Sequence, residues 1–191
     1  MKHIGLLVTL ILSIGSVYPQ EKFERESRIK RSEVPKKASM YVESIFPDAK
    51  KTKWYLEENL DGFANEAKVR ENGTIYSIKF DTLGNLQDIE FIEKFNRLPL
   101  QIQTKVESYL QEQYDRYRVK KIQVQWIGDA DLLRSVLLQE NADRQHEINY
   151  EIEFSGRKHG DIQSYEALFS EEGEHLNTKK IITRNLNHLV Y

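Results

Sequence analysis

Hydrophobic positions along this chain follow two periods, which alternate in a fixed order. Ala38, Tyr41, Val42 and Ile45 fall at i, i+3, i+4 and i+7, one face of a helix. Pro35 stands at the tolerated first turn of that helix, and Pro47 lies beyond its end. From Thr52 onward the period drops to two. Trp54 and Leu56 share one side, and Phe63, Asn65, Ala67 and Val69 stand opposite Ala64, Glu66, Lys68 and Arg70. Such alternation predicts strands with one face on a core and the other in water. Asn72-Gly73, between Val69 and Ile75, predicts a hairpin, because a type I′ turn needs positive φ at both central residues. Tyr76, Ile78 and Phe80 continue the alternation, Gly84 takes the left-handed position of a second turn, and Ile89 and Phe91 end the series opposite Asp88 and Glu90.

The second half repeats this order. After Leu98-Pro99, the residues Ile102, Val106, Tyr109 and Leu110 carry helical spacing. The offset that superimposes the two prolines also places Val42-Glu43-Ser44 on Val106-Glu107-Ser108. Alternating runs follow at Lys120 to Trp126, Ile148 to Phe154, Tyr165 to Phe169 and Leu176 to Thr183, with a turn at Glu171 to Glu174. Matching Ile75–Phe80 to Ser164–Phe169 puts Gly84 on Gly173, so an internal duplication is the economical reading. Its insertions are spread over Asp115 to Tyr117, Asp129 to Arg144 and Gly156 to Gly160. The expected fold is α+β, with two tandem units at residues 34–97 and 98–191. Each is a helix packed on one face of an antiparallel sheet of about four strands. The insertion from Asp129 to Arg144, rich in leucine, is an extra strand or short helix of the second sheet, or an exposed apolar element for a partner or self-association.

The first twenty residues are of another kind. Lys2 and His3 precede an apolar stretch from Ile4 to Ile14 and a small-residue exit, the layout of a secretory signal peptide. The stretch is shorter than the roughly 20 residues a spanning helix needs. The chain has no cysteine, which excludes disulfides, thiol catalysis, sulfur-based zinc sites and a lipid-modified cysteine after the signal. The expected location is therefore the bacterial periplasm or exterior, with no stable membrane anchor once the signal is cleaved. Residues 21–33 are dense in charges of both signs, with only Phe23 and Ile29 to bury, and read as a mobile lead-in. With 28 basic against 30 acidic residues, a net charge of -2 and a pI of about 6.2, nothing here supplies the cationic field that nucleic acid requires.

The Val34-Pro35 and Leu98-Pro99 helix starts, Lys53-Trp54, the Asn72-Gly73 hairpin, the turn from Phe80 to Leu86 and its counterpart from Phe169 to Leu176 together resemble the PepSY-like family of secreted bacterial proteins. The fold of that family is similar to that of the β-lactamase inhibitor protein. The resemblance covers residues 34–184 and implies an extracytoplasmic, non-enzymatic binding or inhibitory role. It carries no inhibitory loop over residue by residue, and Ser170 departs from it where the first half has Asp81.

Candidate chemistry is sparse. No nucleophile elbow, phosphate-binding loop or dinucleotide fingerprint is present, and no cofactor is implied. Glu171, Glu172, Glu174 and His175 share one bend, as hard-cation ligands can, but a solvated turn explains them, and no metal is expected. The pairs Asp88 and Glu90, and Glu151 and Glu153, have the i, i+2 spacing of carboxylates on one strand face. An open sheet would leave them too exposed to split their pKa values, which argues against an enzyme. Polar sheet residues and off-phase tyrosines make the candidate binding set Tyr55, Glu66, Lys68, Lys79, Glu90, Tyr114, Tyr117, Glu151 and Glu153. The expected partner is an envelope or extracellular protein or peptide, docked on an open sheet face. The alternative is a small-ligand carrier or hydrolase, which needs an enclosed cavity.

Overall fold

The computed structural model describes residues 20–47, 52–140 and 146–182. The signal-like head lies outside the described residues except for Gln20, as does the end of the insertion at 141–145.

Both helices begin where their prolines place them. Helix α1 (Lys36–Ile45) follows Pro35 at φ -52 and α2 (Leu100–Gln113) follows Pro99 at φ -51, close to the value the pyrrolidine ring imposes. Ala38, Val42 and Ile45 of α1, and Ile102, Val106 and Leu110 of α2, are buried in the phase the spacing predicts. Eight strands form an antiparallel run: β3 (Lys53–Asn59), β4 (Gly62–Glu71), β5 (Thr74–Phe80), β6 (Leu86–Ile92), β7 (Arg116–Ile127), β8 (Glu147–Lys158), β9 (Asp161–Ser170) and β10 (His175–Ile181). Asn72 and Gly73 join β4 to β5 with φ 47 and 84, the two positive angles that the hairpin requires.

The expectation of two tandem helix-on-sheet units is corrected by the strand order. Strand β6 pairs with β7 from Ile89↔Trp126 to Ile92↔Gln123, so no sheet edge lies between the halves. The supposed lead-in supplies two further strands, β1 (Gln20–Lys22) and β2 (Glu24–Ile29), followed by a 3-10 turn at Arg31–Glu33. Strand β1 pairs parallel with β10 and β2 pairs antiparallel with β3, so one short segment lies along both outer edges. The result is a single ten-stranded, nearly closed, barrel-like sheet in the order β1-β10-β9-β8-β7-β6-β5-β4-β3-β2. The N-terminal segment thereby pairs main-chain groups of β10 and β3 that would otherwise stand at an open edge.

Two apolar clusters lie on the outer face. One under α1 gathers Trp54, Ala67, Ile78, Phe80 and Ile89, and one under α2 gathers Tyr114, Ile152, Phe154, Ala167 and Phe169. Trp126 packs against both. The insertion forms a third helix, α3 (Ala130–Leu137), capped by Asp129, whose side chain accepts from the backbone N–H groups of Asp131 and Leu132. Its fully buried Leu133 enters the first cluster, and the Tyr41 hydroxyl donates to the Ala130 carbonyl at 2.9 Å. The element inserted in the second half thus completes the core of the first.

The turns at Gly84 and Gly173 share one hydrogen-bond pattern. Asp81 N–H donates to Asn85 O and Gly84 N–H to Asp81 O; Ser170 N–H donates to Glu174 O and Gly173 N–H to Ser170 O. Asp81 Oδ1 and Ser170 Oγ each accept two backbone N–H bonds within the turn, so aspartate and serine do the same work. Each glycine lies under a helix: a Cβ on Gly84 would come 2.9 Å from Pro35 Cβ, and one on Gly173 would come 2.9 Å from Lys105 Cδ.

Candidate functional site

Strand alternation sends apolar residues outward to the helices and polar residues inward. The inner row runs through Glu57 on β3, Glu66 and Lys68 on β4, Ser77 and Lys79 on β5, Asp88 and Glu90 on β6, Gln123 and Gln125 on β7, Asn149 and Glu151 on β8, and Glu166 on β9. Glu57, Glu66, Glu90, Gln123, Gln125, Asn149 and Glu166 are all buried. The predicted solvated face is in fact enclosed, because the N-terminal segment crosses its open side. Lys22, Glu24 and Glu26 alternate onto that side and meet charges of opposite sign: Lys22 Nζ lies 2.5 Å from Glu166 and 3.0 Å from Glu24, Glu24 lies 3.9 Å from Lys79, and Glu26 accepts from Lys68 at 2.7 Å.

A cleft of about 190 Å³ opens into this interior, lined by Lys22, Phe23, Glu24, Glu57, Leu60, Lys79, Glu90, Glu151 and Glu166 among others. In its wall Lys79 pairs with Glu57 at 3.1 Å, and on the same inner face Gln123 donates to Glu90 and Gln125 donates to Asp88 Oδ2 at 3.2 Å. Asp88 Oδ1 is buried with no hydrogen-bond partner. Carboxylates outnumber ammonium groups, and their protonation reflects this. Burial, with Glu151 and Glu57 adding to it against Lys79, pushes Asp88 up to about 6. Burial and the charge of Asp88 push Glu90 up to about 7, and burial with Glu90 and Glu166 pushes Glu151 up to about 8. Burial opposes the charged forms of Lys22 and Lys79, but the surrounding carboxylates hold both above the ordinary lysine range.

Of the candidate binding residues, the structure brings Glu66, Lys68, Lys79, Glu90, Glu151 and Glu153 to the inner side of the sheet. Glu153 sits nearer the rim, 3.6 Å from Lys121. Tyr55 joins them, with Lys68 Nζ 5.1 Å from its ring centre. Tyr114 and Tyr117 belong elsewhere. Tyr114 is buried against Phe154 and Tyr165, with ring centroids at 5.0 and 5.1 Å, and Tyr117 packs on the same cluster. The candidate binding set leaves out Lys22, Glu24, Glu57, Gln123, Gln125 and Glu166, and Asp88, which the sequence marks only as half of a carboxylate pair. Their signal was present in the inward phase that Glu57, Gln123 and Gln125 share with the chosen residues. The residues of the acidic bend make other contacts: His175 stacks on Tyr109 at 4.1 Å and Glu172 accepts from Ser170 at 2.9 Å. Among the described residues, no cluster has the makings of a metal site.

No family model matches this chain, and no curated protein does. Solved structures do. A DUF2874 family protein from Bacteroides ovatus is similar at 16% identity and a TM-score of 0.52, over 77% of this chain and 87% of that one. A BLIP-like protein from Bacteroides fragilis is similar at 17% identity and a TM-score of 0.49, over 81% of this chain and 92% of that one. This chain has a fold of the first kind. The PepSY part of the expected resemblance rests on the sequence motifs alone.

Proposed function

We propose that the protein is a non-enzymatic binding module of the bacterial envelope, whose ligand presents a positively charged group to the acidic cleft. The observation that carries this reading is the composition of the cleft wall. Glu24, Glu57, Glu90, Glu151 and Glu166 converge around a space of about 190 Å³ with Lys22, Lys79 and Lys179 as its basic groups. An entering ammonium or guanidinium would stabilise the ionised form of acids that burial now disfavours, and that gain is the source of affinity. The signal-like head and the absence of cysteine support the envelope location. An inhibitory action on an envelope protein or protease is one form such binding takes.

The raised pKa values of Glu90 and Glu151 favour a second reading, a hydrolase using one as a general acid, since closure of the sheet removes the exposure that argued against it. Calorimetric titration with acetyl-tetralysine amide and its tetraglutamate counterpart, at low and high salt, separates the two. The binding reading expects tetralysine to bind with an affinity that falls with salt and at least tenfold in Glu151→Gln, while tetraglutamate does not bind. Equal binding of both peptides, or an unchanged Glu151→Gln variant, overturns it. Turnover of a chromogenic glycoside panel that Glu151→Gln abolishes establishes the hydrolase instead.

A further inference from the structure

The segment that closes the sheet is built unlike the rest of it. Strand β1 has three residues and pairs parallel with β10, through Gln20↔Lys179, Glu21↔Lys180 and Lys22↔Ile181, with Ile182 N–H donating to Lys22 O at 2.9 Å. Gln20 and Glu21 are exposed, as is every β2 residue from Glu24 to Arg28. Between them Phe23 is buried, 7% exposed, and lines the acidic cleft together with Leu60. Lys22 sends its ammonium inward to Glu166 and Glu24. A short parallel strand with one apolar anchor stands at the low end of local stability. The sheet edge it covers offers the main-chain groups that β-augmentation uses.

Resting on the reading of the cleft as a site for cationic groups, we propose that residues 21–24, Glu-Lys-Phe-Glu, are a built-in occupant of that site. Its partner is then an extended peptide segment carrying lysine followed by an aromatic residue, which displaces β1 and pairs with β10. The resident strand shows what the site recognises: backbone pairing along β10, an ammonium among Glu151, Glu166 and Glu24, and an aromatic ring beside Leu60. Tethering gives the resident strand an effective concentration on the order of millimolar, so an outside segment must compete with it. Loosening the strand therefore strengthens binding of the outside segment.

The test uses the full chain and the probe peptide acetyl-Gln-Glu-Lys-Phe-Glu-Arg-Glu-amide. Binding to the Lys22→Ala, Phe23→Ala double variant is expected at least tenfold tighter than to the unaltered protein, and lost when the probe's lysine is replaced by glutamate. A Glu21→Cys, Lys180→Cys variant, in a chain with no other cysteine, is expected to bind when reduced and to fail when oxidised, since the disulfide holds β1 on β10. Hydrogen exchange on the unaltered protein should show the amides of residues 21–22 and of Ile182, which donates to Lys22 O, exchanging at least a hundredfold faster than those of β4 to β9. Equal protection, or equal probe binding to oxidised and reduced protein, overturns displacement of the strand while leaving the acidic-cleft reading to the tetralysine titration. Open exchange with no probe binding to the double variant overturns the identity of the occupant.

Discussion

At the scale of single residues, the inner carboxylates decide how the protein responds to pH. Asp88, Glu90 and Glu151 bind protons more tightly folded than unfolded, so folding takes up protons between their ordinary values and about 6, 7 and 8. Stability from these groups is fully present below about pH 4 and is lost as pH rises through about 8. Lys22 and Lys79 stay charged throughout that window and add no slope, and Glu24, held below its ordinary value by those lysines against its burial, acts only at lower pH. The melting temperature should therefore be several degrees higher at about pH 5 than at about pH 8, and Glu151→Gln should flatten the slope by raising the alkaline value. An unchanged slope in Glu151→Gln would place the titration elsewhere. Tyr114 makes a different prediction. Because its ring lies against Phe154, Tyr165 and the bare Cα of Gly156, where a Cβ would come within 2.5 Å of Tyr114 Cδ1, Tyr114→Ala should cost about 3 kcal/mol in urea unfolding. It should leave the tetralysine affinity unchanged. A tyrosine off the helical phase reads as exposed only when the strand that receives it cannot be identified, and Gly156 on β8 is far from it in sequence.

At the scale of elements, legibility depended on how local the cause is. Helices α1 and α2 could be read because proline, spacing and turn glycines all lie within one element or its neighbour. The Asn72-Gly73 hairpin could be read for the same reason. Strands β1 and β2 could not, because a run such as Glu-Lys-Phe-Glu-Arg-Glu is a solvated tail unless an oppositely charged face awaits it. Lys68, Lys79 and Glu166, which supply that face, come from three different strands. Helix α3 shows the same limit. Its apolar side was visible, but its seat beside Tyr41 joins residues on opposite sides of the fold's midpoint in sequence. Leu133 is fully buried there, so Leu133→Ala should cost about 2–5 kcal/mol, as large-to-small changes in a packed core do. A loss under about 0.5 kcal/mol would mean that the helix only rests on the surface.

At the scale of the whole molecule, the contrast between two units and one closed sheet has a measurable consequence. Two independent helix-covered sheets would each carry their own core and would melt as separate domains. Here the β6–β7 ladder runs without an edge, Trp126 packs on both apolar clusters and lies 5.0 Å from the Phe91 ring, and α3 ties the second half to the core of the first. The N-terminal segment adds a second junction on the far side, since β1 belongs to the β10 edge and β2 to the β3 edge. Opening either half therefore exposes apolar surface of the other, and the unaltered protein should unfold in urea as one transition, coincident by tryptophan fluorescence and far-ultraviolet circular dichroism. Trp126→Ala removes the ring shared by the two clusters while leaving the backbone ladder in place. It should separate the transitions or lower the apparent m-value, because the halves then lose structure at different denaturant concentrations. Two transitions in the unaltered protein would show that the ladder alone does not couple the clusters, and a single unchanged transition in Trp126→Ala would assign the coupling to α3 and the closing strands.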